Sequence, residues 1–155
     1  MKAIPTRYAG CHFRSRLEAR WAVFFDRLGV AWQYEPEGCD LGGAGWFLPD
    51  FRVGTLDGRT VWTETKPLGD RVTDLDTVLS RRELVKMRTF AVQPDVDLLV
   101  VGEFPAPDRQ LNTWRFDGKL WYVSAEGYGA DRTAYCRAWE AARSARFEFG
   151  FSGTS

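Results

Sequence analysis

Net charge is what this sequence most plainly lacks. Lys plus Arg and Asp plus Glu stand at 21 each among 155 residues, a formal charge of zero at pH 7. Proteins that bind nucleic acid by bulk charge are usually basic, so any polyanionic ligand has to be drawn by local patches or by metal ions. Histidine is almost missing. His12 stands alone, which excludes a histidine-based metal site; a surface or capping role is the plainer account of it, with action near a phosphate as the alternative. Cysteine is scarce as well: Cys11, Cys39 and Cys136 are scattered, odd in number and without a C-x-x-C pair. That pattern excludes a disulfide framework and a zinc knuckle, and fits reduced thiols in a cytosol. No apolar run is long enough to span a bilayer, and no charged-then-apolar leader opens the chain. The expectation is a cytoplasmic protein without a membrane partner.

What is present is apolar bulk. Hydrophobic residues make up 45% and aromatics 15%, with seven Trp, which excludes disorder. A chain of 155 residues reads as one domain, 1–155, able to bury a core without staples. Ser15 to Leu28, closed by Gly29, is the clearest helix, because Leu17, Trp21, Phe24, Phe25 and Leu28 share one face. Glu18 falls at the border of that face, and Arg16, Arg20 and Arg27 gather on the other flank. Val30–Tyr34, Trp46–Val53 and Arg59–Lys66 read as strands. Ser80 and Glu83 form a capping-box pattern that opens a helix to about Val92. A short buried strand follows at Asp97–Gly102. Trp114–Phe116 and Leu120–Val123 then flank a two-residue Asp117-Gly118 hairpin, and Asp131 caps a last helix to about Phe147. The order predicts an α/β (α+β) fold: a mixed central β-sheet flanked by helices, α-β-β-β-α-β, plus a C-terminal hairpin and helix.

One stretch, "FLPDFRVGTLDGRTVWTETKP", residues 47–67, places acids where a strand would normally carry Thr or Ser. A three-residue loop, Leu56-Asp57-Gly58, matches a type I turn with a G1 bulge and makes Thr55 face Arg59. Counting back sets Asp50 opposite Glu64, and side-chain alternation puts Lys66 on the face of Glu64. A two-residue Asp-Gly turn would slip this register by one. Like charges directly opposite on a sheet are destabilising. A divalent cation, held by one or two carboxylates, explains that cost; a solvated Glu-Lys face, with Asp50 serving only the turn, is the plainer account.

The wider pattern shifts the balance between them. "FRSRLEARWAVFFDRLGVAWQYEPEG", "FLPDF" and "WTETKP", taken in that order, resemble the PD-(D/E)xK nuclease superfamily, and among its members a branch of small nucleases common in phage and bacterial genomes. The resemblance runs over about residues 8–102 and touches "ARSARFEFG"; residues 104–128 do not align. It implies a restriction-endonuclease-like core and a metal-dependent endodeoxyribonuclease using Mg²⁺ or Mn²⁺. Residue by residue, it implies Asp50, Glu64 and the carbonyl of Thr65 as metal ligands, Lys66 as the catalytic lysine, and Glu18 as the acid of the first helix, supporting the metal. Without the resemblance, Glu18 reads as an exposed helix carboxylate beside Arg14. Three departures stand out: Thr63 and Thr65 replace apolar neighbours of the glutamate, Cys39 replaces an aromatic, and no Cys-rich zinc appendage is present.

The expected partner is DNA, selected by structure or ends rather than by a long sequence, and a homodimer would let one complex cut both strands. A non-catalytic DNA-binding or assembly subunit of the same fold is the alternative function. Arg14, Arg16, Arg81, Arg82 and Lys86 are candidate nucleic-acid contacts, with Arg7 beside them. Trp46, Trp62 and Trp114 are candidates for stacking on unpaired bases, although large aromatics in a chain this size are mostly core. Glu35 and Glu37, in "YEPEG", are candidates for the metal site or a base-contacting loop, although such acids are more often strand-end and turn residues.

Overall fold

The computed structural model describes residues 3–105, 113–123 and 128–147. The parts of "ARSARFEFG" and of the 104–128 segment beyond those limits lie outside the described residues. Among the described residues, ten strands and three α-helices follow in order: β1 (Thr6–Tyr8), β2 (Cys11–Phe13), α1 (Arg16–Leu28), β3 (Ala31–Tyr34), β4 (Cys39–Asp40), β5 (Trp46–Phe47), β6 (Phe51–Gly54), β7 (Thr60–Thr65), α2 (Arg81–Ala91), β8 (Leu98–Val101), β9 (Thr113–Phe116), β10 (Trp121–Val123) and α3 (Arg132–Ser144). Among the described residues, no helix is long and apolar enough to cross a membrane.

The protein is mixed α/β. Six strands form the central sheet in the order β10-β9-β8-β7-β6-β3. β3, β6 and β7 pair antiparallel, β7 and β8 pair parallel, and β8, β9 and β10 are again antiparallel. The parallel step needs a crossover connection, and α2 lies within it. Alternation along the central strands splits the core into two apolar layers. Val61, Leu99 and Val101 face α1 and α3, whereas Trp62, Leu98 and Val100 face α2. Helices therefore cover both faces of one mixed sheet.

α1 forms as its sequence predicts. Ser15 caps it, its Oγ accepting from the Glu18 amide, and Gly29 ends it in the left-handed conformation at φ 83°. Trp21, Phe24, Phe25 and Leu28 are buried, and Phe25 packs against the rings of Trp21, Phe51 and Tyr128. Arg20, on the flank, has a structural task. Its Nη1 donates to the carbonyls of Ala142, Arg143 and Ala145 at 2.9, 3.0 and 2.8 Å, satisfying the C-terminal end of α3 with a cation. Arg20→Ala is expected to cost about 2 kcal/mol, since charge-assisted bonds to groups left without partners are lost. Urea unfolding of variant and wild type measures it.

The hairpin between β6 and β7 keeps the register expected from its three-residue loop. The Thr55 amide donates to the Arg59 carbonyl at 2.8 Å, Gly58 has φ 84°, and Gly54↔Thr60 through Phe51↔Thr63 are paired. Three expectations need correction, and one element comes unannounced. Trp46–Val53 is not one strand: β5 stops at Phe47 and β6 begins at Phe51, because Pro49 cannot donate to a ladder. The β9–β10 turn has four residues rather than two. Phe116 pairs with Trp121, and the Asp117 carboxylate accepts from the amides of Lys119 and Leu120, which draws both into the turn. α3 ends at Ser144, three residues before Phe147. Finally, β1 and β2 form a hairpin that the sequence did not announce. Its turn residues, Ala9 and Gly10, both have positive φ, 50° and 79°, a conformation more often signalled by Asn-Gly.

Candidate metal centre

The topology brings five segment ends to one end of the sheet. β7 runs out at Glu64, Thr65 and Lys66. Antiparallel β6 begins just after Asp50, and β3 ends at Tyr34, next to Glu35. α1 starts at Ser15 on one face, and α2 starts at Ser80 on the other. Each segment contributes a polar side chain where the two apolar layers stop.

Asp50 lies at the centre. It sits one residue outside β6, and its Oδ2 accepts from both the amide and the hydroxyl of Thr65, at 2.8 and 2.7 Å. Its own amide donates to Glu64 Oε1 at 3.2 Å. The ladder is paired only as far as Phe51↔Thr63; one residue beyond it, Asp50 and Glu64 meet through this amide-to-carboxylate bond. Glu64 is 8% exposed, and its Oε2 stands 3.6 Å from Lys66 Nζ. Lys66 also donates to Glu83 Oε1 at 2.9 Å. Glu83 completes the capping box at the start of α2 with Ser80. A residue read from sequence only as a helix cap therefore also holds the lysine.

Glu18 reaches the cluster from α1. It is 5% exposed, with Oε1 accepting from Ser15 Oγ and Oε2 from the Tyr34 hydroxyl, each at 2.9 Å. The exposed carboxylate paired with Arg14 is thereby overturned: Arg14 stands 2.7 Å from Glu35 instead. Glu35 is also more than a turn residue. Single carboxylate oxygens of Glu18, Glu35 and Asp50 lie within 4.8 Å of one another. Glu35 takes φ 44°, a region that non-glycine residues seldom enter, while its amide donates to the Asp50 carbonyl at 2.7 Å. Glu64 lies outside that trio; its carboxylate accepts from the Asp50 amide and stands beside Lys66. In the sequence, the "YEPEG" turn offers Glu35 and Glu37 alike as candidates for the metal site, and of the two only Glu35 joins the trio; nothing there marks Tyr34.

Burial and mutual repulsion set the protonation of these acids. Burial, followed by the Asp50 charge, pushes Glu18 up to about 7. Burial raises Asp50 too, against the opposing bonds from Thr65. Glu64 is driven well above the ordinary carboxylate range by burial and then by Asp50. Lys66 loses solvation, but Glu64, Glu83 and Asp50 outweigh that loss and hold it protonated above its usual value. Glu18 and Asp50 meet within the trio and Glu64 adjoins Asp50, so the anionic form of the site is unfavourable until positive charge arrives.

The candidate nucleic-acid contacts divide. Arg14 stands at the cluster, whereas the Arg16 guanidinium donates to the Phe147 carbonyl at 3.4 Å. Arg81 and Arg82 are exposed at the start of α2. Lys86 lies against Gly45, where an added Cβ would stand 3.5 Å from its Cε. Arg7 donates to the Nδ1 of exposed His12. Trp114 is fully buried, Trp62 lies beneath Arg52, and Trp46 is 60% exposed.

Comparison with the models of known families, with curated proteins and with solved structures finds no match for this chain.

Proposed function

We propose that the chain is a divalent-metal-dependent endodeoxyribonuclease of the PD-(D/E)xK type, hydrolysing DNA phosphodiester bonds. The observation that carries this is Asp50 held between Glu18 and Glu64, both buried, with Lys66 alongside. Such an array costs stability, and the fold alone has no use for it. A mixed sheet with α1 on one face and the α2 crossover on the other is in keeping with a restriction-endonuclease-like core.

The donor set is entirely oxygen, which suits Mg²⁺ or Mn²⁺. Asp50, Glu64 and Glu18 would hold the ion, with the Thr65 carbonyl as the resemblance implies; Glu35 is the acid that the geometry adds. A bound divalent ion supplies Lewis-acid charge neutralisation and a more acidic water. The protein's own groups do the rest. Thr65 fixes Asp50 through two donors, Ser15 and Tyr34 orient Glu18, and the Lys66 ammonium supplies positive charge where a phosphate under attack becomes more negative. DNA would be chosen by shape or ends, and a homodimer would act on both strands.

Two measurements test this together. Saturating Mg²⁺ or Mn²⁺ should raise the melting temperature of wild type by about 5–10 °C, the equivalent of about 2.7 kcal/mol at a hundredfold excess over Kd. It should leave Asp50→Ala unmoved. Linear, nicked, branched and single-stranded DNAs should then show metal-dependent cleavage of at least one form, abolished by EDTA. No metal effect on stability would overturn the metal site. Metal stabilisation without cleavage of any DNA would point to the non-catalytic DNA-binding or assembly subunit.

A further inference from the structure

Between the acidic cluster and the start of α2, Lys66 has two carboxylates in reach. Its backbone is fixed, since its amide donates to the Val101 carbonyl of β8 at 2.9 Å. Only the side chain is left to choose a partner, a flexible stem ending in a compact ammonium. Glu83 Oε1, at 2.9 Å, takes a hydrogen bond from it. Glu64 Oε2, at 3.6 Å, stands beyond hydrogen-bond reach. Charge alone would favour the other partner. The Glu64 side chain is 11% exposed and that of Glu83 is 41% exposed, and attraction between charges grows as water is excluded. An ammonium without Glu83 is therefore drawn to Glu64, the nearest carboxylate left among the described residues.

The oxygen that the ammonium would cover matters. Glu64 Oε1 already accepts from the Asp50 amide, so Oε2, which faces Lys66, is the oxygen more open to a cation. Lysine and a divalent ion are rivals for it, because like charges beside one oxygen repel each other. Glu83 is equipped to hold the lysine back. Its Oε2 accepts from the amide and the hydroxyl of Ser80, at 3.1 and 3.2 Å, within the capping box of α2. The helix cap fixes one end of the carboxylate, and Oε1 is left to the ammonium.

We propose that Glu83 is a positioning residue that holds the Lys66 ammonium off Glu64 and thereby sets the affinity of the site for its divalent ion. The inference rests on the metal site proposed above, and Mn²⁺ binding tests it without any DNA. Removing Glu83 frees a competitor that the chain itself carries; removing the lysine as well abolishes the competition.

The experiment is calorimetric titration of Mn²⁺ into metal-free wild type, Glu83→Gln, Lys66→Ala and the double variant. Glutamine suits this position of a capping box, so α2 keeps its start. It carries no charge and has a single acceptor oxygen, which cannot serve Ser80 and Lys66 together. Glu83→Gln should weaken Mn²⁺ binding about 10-fold, within the range of coupling between contacting groups. In the Lys66→Ala background the same substitution should change the affinity by less than about 2-fold. Unchanged affinity in Glu83→Gln would overturn the role. Equal losses in both backgrounds would overturn it too, since the effect would then not pass through the lysine. Absence of Mn²⁺ binding to wild type would overturn the metal site and this role with it. The expected cycle without cleavage of any DNA would leave the role standing and sink the nuclease reading.

Discussion

Lys66→Ala is expected to lower the turnover of DNA cleavage roughly 10²- to 10³-fold, the usual loss when one positioned electrostatic stabiliser is removed. The reason lies in how the ammonium is held. Glu83 fixes it at 2.9 Å and Glu64 stands 3.6 Å away, so its charge sits at the edge of the carboxylate cluster. Alanine removes that charge but none of the groups proposed to hold the metal. The metal-induced rise in melting temperature should therefore persist while turnover falls, a division that a merely misfolded variant would not show. Lys66→Arg should not rescue turnover, because a planar fork does not occupy the space of a compact ammonium. Single-turnover cleavage beside thermal melting measures both halves, and wild-type turnover in Lys66→Ala would overturn the role given to the lysine.

The second large effect concerns pH. In the metal-free protein Glu18 has a folded pKa of about 7 against an ordinary 4.5. The folded state thus holds the proton more tightly than the unfolded state does. Its contribution is fully present below pH 4.5 and is lost as pH rises through 7, a difference of about 3 kcal/mol at 1.36 kcal/mol per pH unit. Asp50 and Glu64 are shifted in the same direction and steepen the trend. Glu18→Gln keeps a polar group for Ser15 and Tyr34 but has nothing to ionise. In EDTA at pH 8 this variant should be more stable than wild type by about that amount, with a flatter profile between pH 4.5 and 7.5. Urea unfolding across that range is the measurement, and identical slopes for the two proteins would show that Glu18 ionises normally.

Much of this was legible in the sequence, for identifiable reasons. α1 announced itself because Ser15, the apolar stripe and Gly29 all agree. The β6–β7 register followed from loop length, and that arithmetic carries Asp50 to Glu64. What escaped depended on distant packing. Glu35 and Glu37 read alike as turn acids that could reach the metal site, because a backbone conformation, not residue identity, brings Glu35 to Asp50. Tyr34 gave no sign that its hydroxyl would serve a helix carboxylate sixteen residues earlier. The β1–β2 turn lacks the usual residues, and Pro49 interrupts a run, Trp46–Val53, whose other residues all suit one strand. Local signals set the elements; the long-range closure of the sheet end selected which acids would meet.

Glu83 carries a consequence of its own. One oxygen serves Ser80 and the start of α2, and the other serves Lys66. The first turn of a scaffold helix and the lysine at the sheet end therefore share one carboxylate. Displacing the lysine withdraws a partner from the helix start, and fraying the helix start loosens the lysine. The crossover between β7 and β8 is in this sense a mechanical lever on the site, with its fulcrum at a single side chain.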